Sequence, residues 1–304
     1  MKHFSKTMAL CVMVLTPALS GCYAGTNTVV KPSSNYVTEK VTLSDINAIK
    51  ATSSVDVVYT QASGTPYAEI YAPDNIVPLV KVAQEGDRLS VGFKSNTSIH
   101  GRYKCEVRVF APEVTSFSTS SSSDITLANG LKTTKDVVLK ASSSGDIEAE
   151  SLQCGNLEMT TSSSGDITVA RIACGMLALN TNSSGDIEVG AAECDGADIS
   201  SNSSGDCTVT NMTCKGDVKA STNSSSDITL SGTCRNATLS ASSAGGVYAK
   251  NLRAKDVTAK ASSAGDVECN VSGVLSTSVS SAGGIRYKGN PTRIEGKIKG
   301  VSRM

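Results

Sequence analysis

The feature that most constrains the fold is a short motif, Ser162-Ser163-Ser164-Gly165-Asp166-Ile167, that recurs through more than half of the chain. Successive copies follow at a nearly fixed interval of about 20 residues, and a repeat of this length, rich in Ser, Thr, Gly and β-branched residues, is typical of a solenoid. Glycine replaces the aspartate at Gly246 and Gly284. The motif aspartates of the regular copies are Asp124, Asp146, Asp166, Asp186, Asp206, Asp227 and Asp266.

Within each copy, the residues alternate in a way that predicts β-strands. Leu157, Met159, Ile167 and Val169 hold odd positions, while the even positions between them are polar. A period of two indicates a strand with one buried and one solvated face. One unit is too short to bury its apolar face alone, so neighbouring units must stack at a strand spacing of roughly 4.8 Å. We therefore predict an all-β fold, a parallel β-helix or related β-solenoid with about 20 residues per rung and irregular β-rich N-terminal rungs.

The N-terminus has the features of a bacterial lipoprotein signal. Residues 1–22 combine basic Lys2 and Lys6 with a short apolar stretch and end in a lipobox, Leu19-Ser20-Gly21-Cys22, which predicts lipidation at Cys22. The alternative is a soluble secreted protein in which Cys22 is incidental. No Asp follows Cys22, which predicts a lipid-anchored outer-membrane protein on the periplasmic or cell-surface side. Residues 23–40 are predicted to be a flexible tether.

The remaining chain is predicted to form one elongated domain. Residues 41–290 make up the β-helix, with irregular rungs over 41–115 and regular repeats over 116–290. Strands are expected at 67–72, 88–93 and 105–110, separated by Gly- and Pro-containing turns. Residues 291–304 are expected to form a C-terminal cap or tail.

An ordered series of short segments resembles the head GIN domain proteins, a family described as auto-transporter adhesins. The series begins with residues 43–49, 55–59 and 71–76, and continues through 88–91, 107–112 and the first Ser-Ser-Asp-Ile copy. The resemblance covers about residues 42 to 290 and implies a β-helical surface or envelope lipoprotein. It supplies no catalytic residues, and the cysteine series described below is not part of it.

The stacked aspartates would place carboxylates roughly 5 Å apart, where like charges repel. One solution is a cation held between rungs, as in calcium-binding solenoids. The favoured alternative is structural, with each Asp accepting hydrogen bonds from backbone N–H groups at its own corner. The chain lacks the Gly-Gly-x-Gly-x-Asp repeat of nine-residue calcium solenoids, and we predict no metal site.

A second column consists of the motif serines, which the alternation places on the buried phase. Buried hydroxyls must find hydrogen-bond partners, and so many equivalent serines without a nearby base indicate architecture rather than catalysis. His3 and His100 both lie outside the repeats. The serines are Ser143, Ser163, Ser183, Ser203, Ser224, Ser243, Ser263 and Ser281.

A third column consists of cysteines, each one repeat after the one before: Cys154, Cys174, Cys194, Cys214 and Cys234. Apolar residues two positions earlier predict that the thiols face inward. A packed ladder of free thiols is favoured, and partial disulfides between rungs are the alternative. Metal binding is not predicted, because no C-x-x-C pair occurs among them. Cys207 takes the slot that Ile167 and Ile187 fill in other copies.

The predicted function is that of a non-enzymatic cell-envelope lipoprotein, an adhesin or surface-binding β-helix for an unknown protein or glycan ligand. Lys+Arg and Asp+Glu both number 28, which argues against a nucleic-acid partner. Alternatives are a carbohydrate-active β-helix enzyme and a passive structural envelope protein. Enzyme sites on β-helices interrupt the repeat with inserted loops and clusters of odd carboxylates, and the repeats between residues 124 and 285 contain no long insertion. No catalytic residue and no cofactor are predicted.

The lipobox generates a direct test. Replacing Cys22 by Ser removes the thiol that would carry the acyl chains, and multiple chains are what make such anchoring stable. We expect Cys22→Ser to move the protein from the membrane to the soluble fraction and to abolish incorporation of radiolabelled palmitate. Unchanged membrane retention and labelling would contradict the prediction.

Overall fold

The computed structural model of the protein describes residues 28–304, and the predicted signal peptide and Cys22 lie outside them. This range contains β-strands, one short 3-10 helix at Val77–Leu79 and no α-helix. None of its helical structure has the length and apolar character needed to cross a membrane.

The N-terminal part is a mixture of parallel and antiparallel strands. Parallel pairs of β3 (Ala48–Ala51) with β7 (Arg88–Phe93) and of β4 (Asp56–Gln61) with β9 (Glu106–Ala111) start the solenoid. Antiparallel pairs of β2 (Tyr36–Thr42) with β5 (Tyr67–Pro73), of β5 with β9 and of β6 (Val80–Glu85) with β7 were not predicted and add strands beyond these rungs. Strands β1 and β2 take up part of the segment 23–40. The strands are β1 (Thr28–Val30), β2 (Tyr36–Thr42), β3 (Ala48–Ala51), β4 (Asp56–Gln61), β5 (Tyr67–Pro73), β6 (Val80–Glu85), β7 (Arg88–Phe93), β8 (Thr97–Ile99) and β9 (Glu106–Ala111).

From residue 116 onwards, every pair of strands is parallel. Most rungs lie in register with the next, and the register shifts after Val209, Thr229 and Tyr248. Ile147 pairs with Ile167 and Ile167 with Ile187, a step of 20 residues, which confirms the predicted β-solenoid. The strands are β10 (Ser116–Thr119), β11 (Ile125–Leu127), β12 (Leu131–Lys132), β13 (Val137–Ser143), β14 (Ile147–Gln153), β15 (Leu157–Ser163), β16 (Ile167–Ser183), β17 (Ile187–Ser203), β18 (Cys207–Cys214), β19 (Val218–Ser224), β20 (Asp227–Thr233), β21 (Asn236–Ala241), β22 (Gly246–Ala254), β23 (Asp256–Ala261), β24 (Asp266–Val271), β25 (Val274–Val279), β26 (Gly284–Gly289), β27 (Arg293–Gly296) and β28 (Val301–Arg303).

One rung has three sides, which we name from the copy around Asp166. The long side spans residues 157–163 and leads into the Ser-Gly-Asp corner. The second side spans 167–169, and the third side spans 171–174. The buried positions shift from odd (Ile167, Val169) to even (Ile172) between these two sides, which indicates that the chain bends there. The same shift recurs between Val189 and Ala192.

The core is a set of columns of equivalent side chains. One column consists of the residue that directly follows the motif aspartate in each copy, and its side chains are completely buried. Its members pair with one another from rung to rung. Full burial of one such aliphatic side chain contributes about 1.5–3 kcal/mol relative to exposure. Cys207 occupies this column between Ile187 and Ile228 and acts as a small apolar residue there. The column comprises Val57, Ile125, Ile147, Ile167, Ile187, Cys207, Ile228, Val247, Val267 and Ile285.

The stacked core predicts that the same substitution has opposite consequences on the two faces of a strand. Ile167→Lys places an unpaired charge in a fully buried column, and we expect a loss of about 4 kcal/mol or more in the free energy of unfolding. Thr168→Lys is the matched control, because Thr168 is exposed and lies between Glu148 and Glu188. Its effect should stay within about 0.5 kcal/mol or be stabilising. Urea unfolding of both variants measures the difference in the free energy of unfolding. Equal losses of stability would contradict the assignment of Ile167 to the core and of Thr168 to the surface.

Candidate functional site

The corner between the long and second sides is made by a serine in the left-handed conformation. Ser163 has φ 62°, and the equivalent serines have φ between 55° and 73°. All eight motif serines are exposed, so the prediction that they are buried is wrong. The backbone reversal at this residue turns its side chain outward, although its parity matches that of the buried residues. The N–H of Ser164 donates to the carbonyl oxygen of Ser143 at 2.7 Å, which ties consecutive corners together.

Buried hydroxyls do occur two residues before several of the corners, whereas Ala141, Ala241 and Ala261 hold this position in other copies. Thr161 and Thr181 are completely buried, and their hydroxyls donate to the carbonyl oxygens of Gly185 and Gly205 at 2.8 and 3.0 Å. The motif glycines allow the corners to stack closely. A Cβ at Gly165 would lie only 2.6 Å from the carbonyl oxygen of Gly145. The corner sequence is therefore dictated by close packing between rungs.

The motif aspartates form a continuous ladder of hydrogen bonds along this edge. Oδ1 of Asp166 accepts the backbone N–H of Asp186 at 2.8 Å, and Oδ1 of Asp146 accepts that of Asp166 at 2.9 Å. The carboxylates therefore accept from the next rung, not from their own corner as we predicted. The same contact links Asp56 to Asp124, Asp124 to Asp146, Asp186 to Asp206, Asp206 to Asp227 and Asp227 to Gly246. Asp266 belongs to the same column, where it pairs with Gly246 and Gly284.

Stacking of the carboxylates changes their acidity. Partial burial raises the pKa of the Asp166 carboxyl, and the charges of Asp146 and Asp186 raise it further, while the N–H of Asp186 opposes both. Burial likewise raises the pKa of Asp227, with an added contribution from Asp206. The ladder thus gains hydrogen bonds at the expense of repulsion between like charges.

The cysteine column lies at the end of the third side, where Cys174 is the last residue. Cys194 and Cys214 are buried, whereas Cys154, Cys174 and Cys234 are half-buried and pack against the core. All five are free thiols in the structure. Burial raises the pKa of Cys174 and of Cys234 to about 12. The described part of the chain contains no group of three or more His, Cys, Asp or Glu residues arranged to hold a metal ion.

Two buried glutamates were not singled out from the sequence. Glu268 lies between Lys250 and Arg286, whose nitrogens are 3.0 and 2.7 Å from its carboxylate. Glu106 contacts Lys104 and Arg108 at 2.9 and 2.6 Å. Arg286 and Lys104 would have been hard to assign as partners, because the strand alternation marks a face without specifying contacts.

The outer surface of the long side is flat and polar, and we call it the polar face. Its side chains stack in three columns. Two consist mainly of hydroxyl and amide groups, with a lysine near each end of one of them, and the third contains Glu158, Ala178, Asp198 and Lys219. The Ser200 hydroxyl donates to Oδ1 of Asn180 at 2.7 Å, and the Ser242 hydroxyl donates to Oδ1 of Asn223 at 3.0 Å. The first of the two hydroxyl and amide columns comprises Lys140, Thr160, Asn180, Ser200, Ser221, Ser240, Lys260 and Ser278. The second comprises Ser142, Ser162, Asn182, Asn202 and Asn223.

At its N-terminal end, the polar face contains a groove of about 540 Å³. Exposed Lys50, Arg88 and Lys140 surround half-buried serines, including Ser116 and Ser118. Lys50 and Lys140 both pair with Ser118 and therefore lie on either side of it, and Arg88 lines the same groove. We call this feature the basic groove. Sequence reasoning missed it, because its residues come from three distant segments.

The ladder geometry predicts how Asp166 responds to substitution and pH. Asp166→Ala removes the acceptor of the Asp186 N–H and should cost about 1–3 kcal/mol. Asp166→Asn keeps an acceptor oxygen but removes the charge, so at pH 7 it should equal or exceed the wild type by up to about 1 kcal/mol.

The sign of the pH effect follows from the raised pKa of Asp166. The folded state holds this proton more tightly than the unfolded state does, so the wild type loses stability as pH rises through the carboxyl range. The advantage of Asp166→Asn should therefore vanish at acidic pH and grow towards neutrality, as measured by melting temperatures. A wild type that is more stable than Asp166→Asn at pH 7 would contradict this account.

Comparison with known proteins agrees with this geometry. A family model described as "Putative auto-transporter adhesin, head GIN domain" matches residues 45–213 and 178–291. Among curated proteins, none matches the chain significantly.

Solved structures with the same fold come from Bacteroides and Parabacteroides species. The chain is similar to a protein described as a putative adhesin from Bacteroides fragilis (21% identity, 90% of this chain and 100% of that one, TM-score 0.61). It is similar to another so described from Parabacteroides merdae (22%, 91% and 99%, 0.59). A third, from Parabacteroides distasonis, is described as a putative lipid binding protein (19%, 91% and 99%, 0.55). At these identities the likeness concerns the fold alone. Because the family model spans most of the chain, the protein belongs to the head GIN domain family.

Proposed function

We propose that the protein is a non-enzymatic, lipid-anchored adhesin of the cell envelope that binds an acidic glycan along its polar face. The observation that carries this proposal is the basic groove, where three exposed cations surround serine hydroxyls at the end of a flat surface. The family description, which names adhesins, supports a binding role.

The chemistry of the polar face suits a sugar ligand. Hydroxyl and amide groups both donate and accept hydrogen bonds, as glycan hydroxyls require. The carboxylates or sulfates of an acidic glycan would be attracted by Lys50, Arg88 and Lys140, and charge-assisted hydrogen bonds to them are stronger than neutral ones. Two carboxylates compete with such a ligand: that of Glu158 lies 3.7 Å from the Lys140 Nζ, and Glu85 is the strand partner of Arg88.

The enzyme alternative has less support at this groove. Glycoside hydrolysis uses two carboxyl groups that flank the scissile bond. The described residues that line the basic groove include no Asp, Glu, His or Cys. Binding without turnover is the chemistry that the lining favours.

The proposed location follows from the lipobox at Cys22 and from the family. We infer an outer-membrane anchor at the N-terminus, with the solenoid on the periplasmic or the cell-surface side. The residues between Cys22 and β1 would tether the first rungs to the membrane. An adhesin role requires the cell-surface side.

The chain offers a matched pair of variants for testing the ligand. Lys140 and Lys260 are both exposed and belong to the same column of the polar face, but only Lys140 lies in the basic groove. We expect Lys140→Glu to weaken binding to immobilised acidic glycans at least about tenfold, because it replaces an attraction with a repulsion. Lys260→Glu should retain binding.

Binding of the wild type should also weaken as salt is raised, because exposed charges are screened. Binding measured on an array of neutral and acidic glycans shows whether the protein selects its ligand by charge. Equal loss in both variants, or a preference for neutral glycans, would contradict the role of the groove.

A further inference from the structure

The cysteine column has a geometry that its sequence spacing conceals. Cys174 pairs directly with Cys194 across adjacent parallel strands, and Cys194 pairs directly with Cys214. The thiols are one full repeat apart in the chain but neighbours in space. Spacing within a single segment, such as C-x-x-C, is therefore the wrong test for ligands in this fold.

The two central thiols interact with each other. A hydrogen bond from Cys194 lowers the pKa of Cys214, and the same bond raises the pKa of Cys194. Sγ of Cys214 also lies 3.8 Å from the carbonyl oxygen of Asp217. Cys194 and Cys214 are only 2% and 5% exposed. They form a nearly dry pair of neighbouring thiols.

The register is poorly suited to a disulfide. Side chains stacked in register on parallel strands keep their Cβ atoms near the strand spacing of about 4.8 Å, whereas a disulfide requires a Cβ–Cβ distance of about 3.5–4.5 Å. Metal–thiolate bonds are about 2.3 Å long for zinc, and two bonds of about that length on opposite sides of an ion would span roughly 4.6 Å. The stacking distance therefore favours a bridging ion.

We propose that Cys194 and Cys214 bind a soft monovalent cation of the Cu(I) class in a two-coordinate site, next to the thiol of Cys174. Thiolate ligands select such cations over hard ones. The described residues offer no group of three or more conventional ligands, which a closed zinc site would need. Binding one cation between two thiols releases two protons to solvent, and no oxidation or reduction occurs.

The surroundings provide a route to this site. Cys174 and Cys234 flank the buried pair and are half-buried, so a cation could pass from thiol to thiol along the column. The exposed thioether of Met176 lies over Gly196, because a Cβ built at Gly196 would be 2.8 Å from its Sδ. Met176 therefore places a further soft donor at the surface, two residues from Cys174 along the chain. This site is independent of the basic groove and of the proposed adhesin function.

The test uses the full chain, purified in detergent under anaerobic, reducing conditions. Cu(I) is supplied as its coloured bicinchoninate complex, and the loss of colour reports transfer to the protein. We expect the wild type to withdraw at least one Cu(I) per chain, and native mass spectrometry should show the same stoichiometry. Failure to withdraw Cu(I) would overturn the proposal.

Variants assign the site. Cys194→Ser removes the thiol shared by both register pairs and should weaken Cu(I) binding at least about tenfold. Cys269→Ala, which alters a buried thiol outside the column, should bind as the wild type does. If Cys194→Ser does not fold, as judged by circular dichroism, Cys214→Ser decides instead. Unchanged binding in the folded variant would overturn the assignment, as would a Cys194–Cys214 disulfide in peptides from the unreduced native protein.

Discussion

Hydrogen bonds between the parallel strands of successive rungs are the interaction on which the rest of the structure depends. No rung encloses a core of its own, and Ile167 is buried only because Ile147 and Ile187 lie above and below it. Backbone pairing fixes the step at one repeat per rung, and that step superposes equivalent side chains. The stability of a solenoid is therefore a sum over neighbouring rungs rather than a property of one unit.

Superposition makes each position of the repeat a column, and the chemistry of a column differs from that of a single residue. Stacked carboxylates repel one another, and the ladder from Asp56 to Asp227 offsets this by accepting one backbone N–H per rung. Stacked hydroxyls and amides incur no such repulsion and give the polar face. Stacked thiols are neutral until one ionises, and then its neighbour becomes a hydrogen-bond donor or a second ligand.

Much of the fold could be predicted from the sequence, because period and alternation are directly visible there. The recurring motif gives the length of the rung, and the alternation around Ile167 identifies the core column. The conformation of Ser163 could not be read in this way, because one left-handed residue turns its side chain outward without changing the parity of the pattern. The antiparallel pairing of β2 with β5 was equally hidden, since alternation carries no information about strand direction.

The candidate sites were harder to predict than the fold. The partner of Asp166 is the N–H of Asp186, and a local reading of the corner suggests a bond within the same turn. Lys50, Arg88 and Lys140 line one groove only because three segments stack. In each case the motif identified the residue types, whereas the contact depends on the register between rungs.

The direction of the inter-rung hydrogen bonds has a mechanical consequence. A force applied between the two ends of the solenoid acts parallel to these bonds, so it loads them a few at a time, as in opening a zipper. Each rung adds only about 4.8 Å to the folded length, yet once pulled free its chain extends to about 70 Å. Under tension the regular repeats would lengthen in steps of one rung and absorb work at each step, while the rungs still stacked keep their side chains in register.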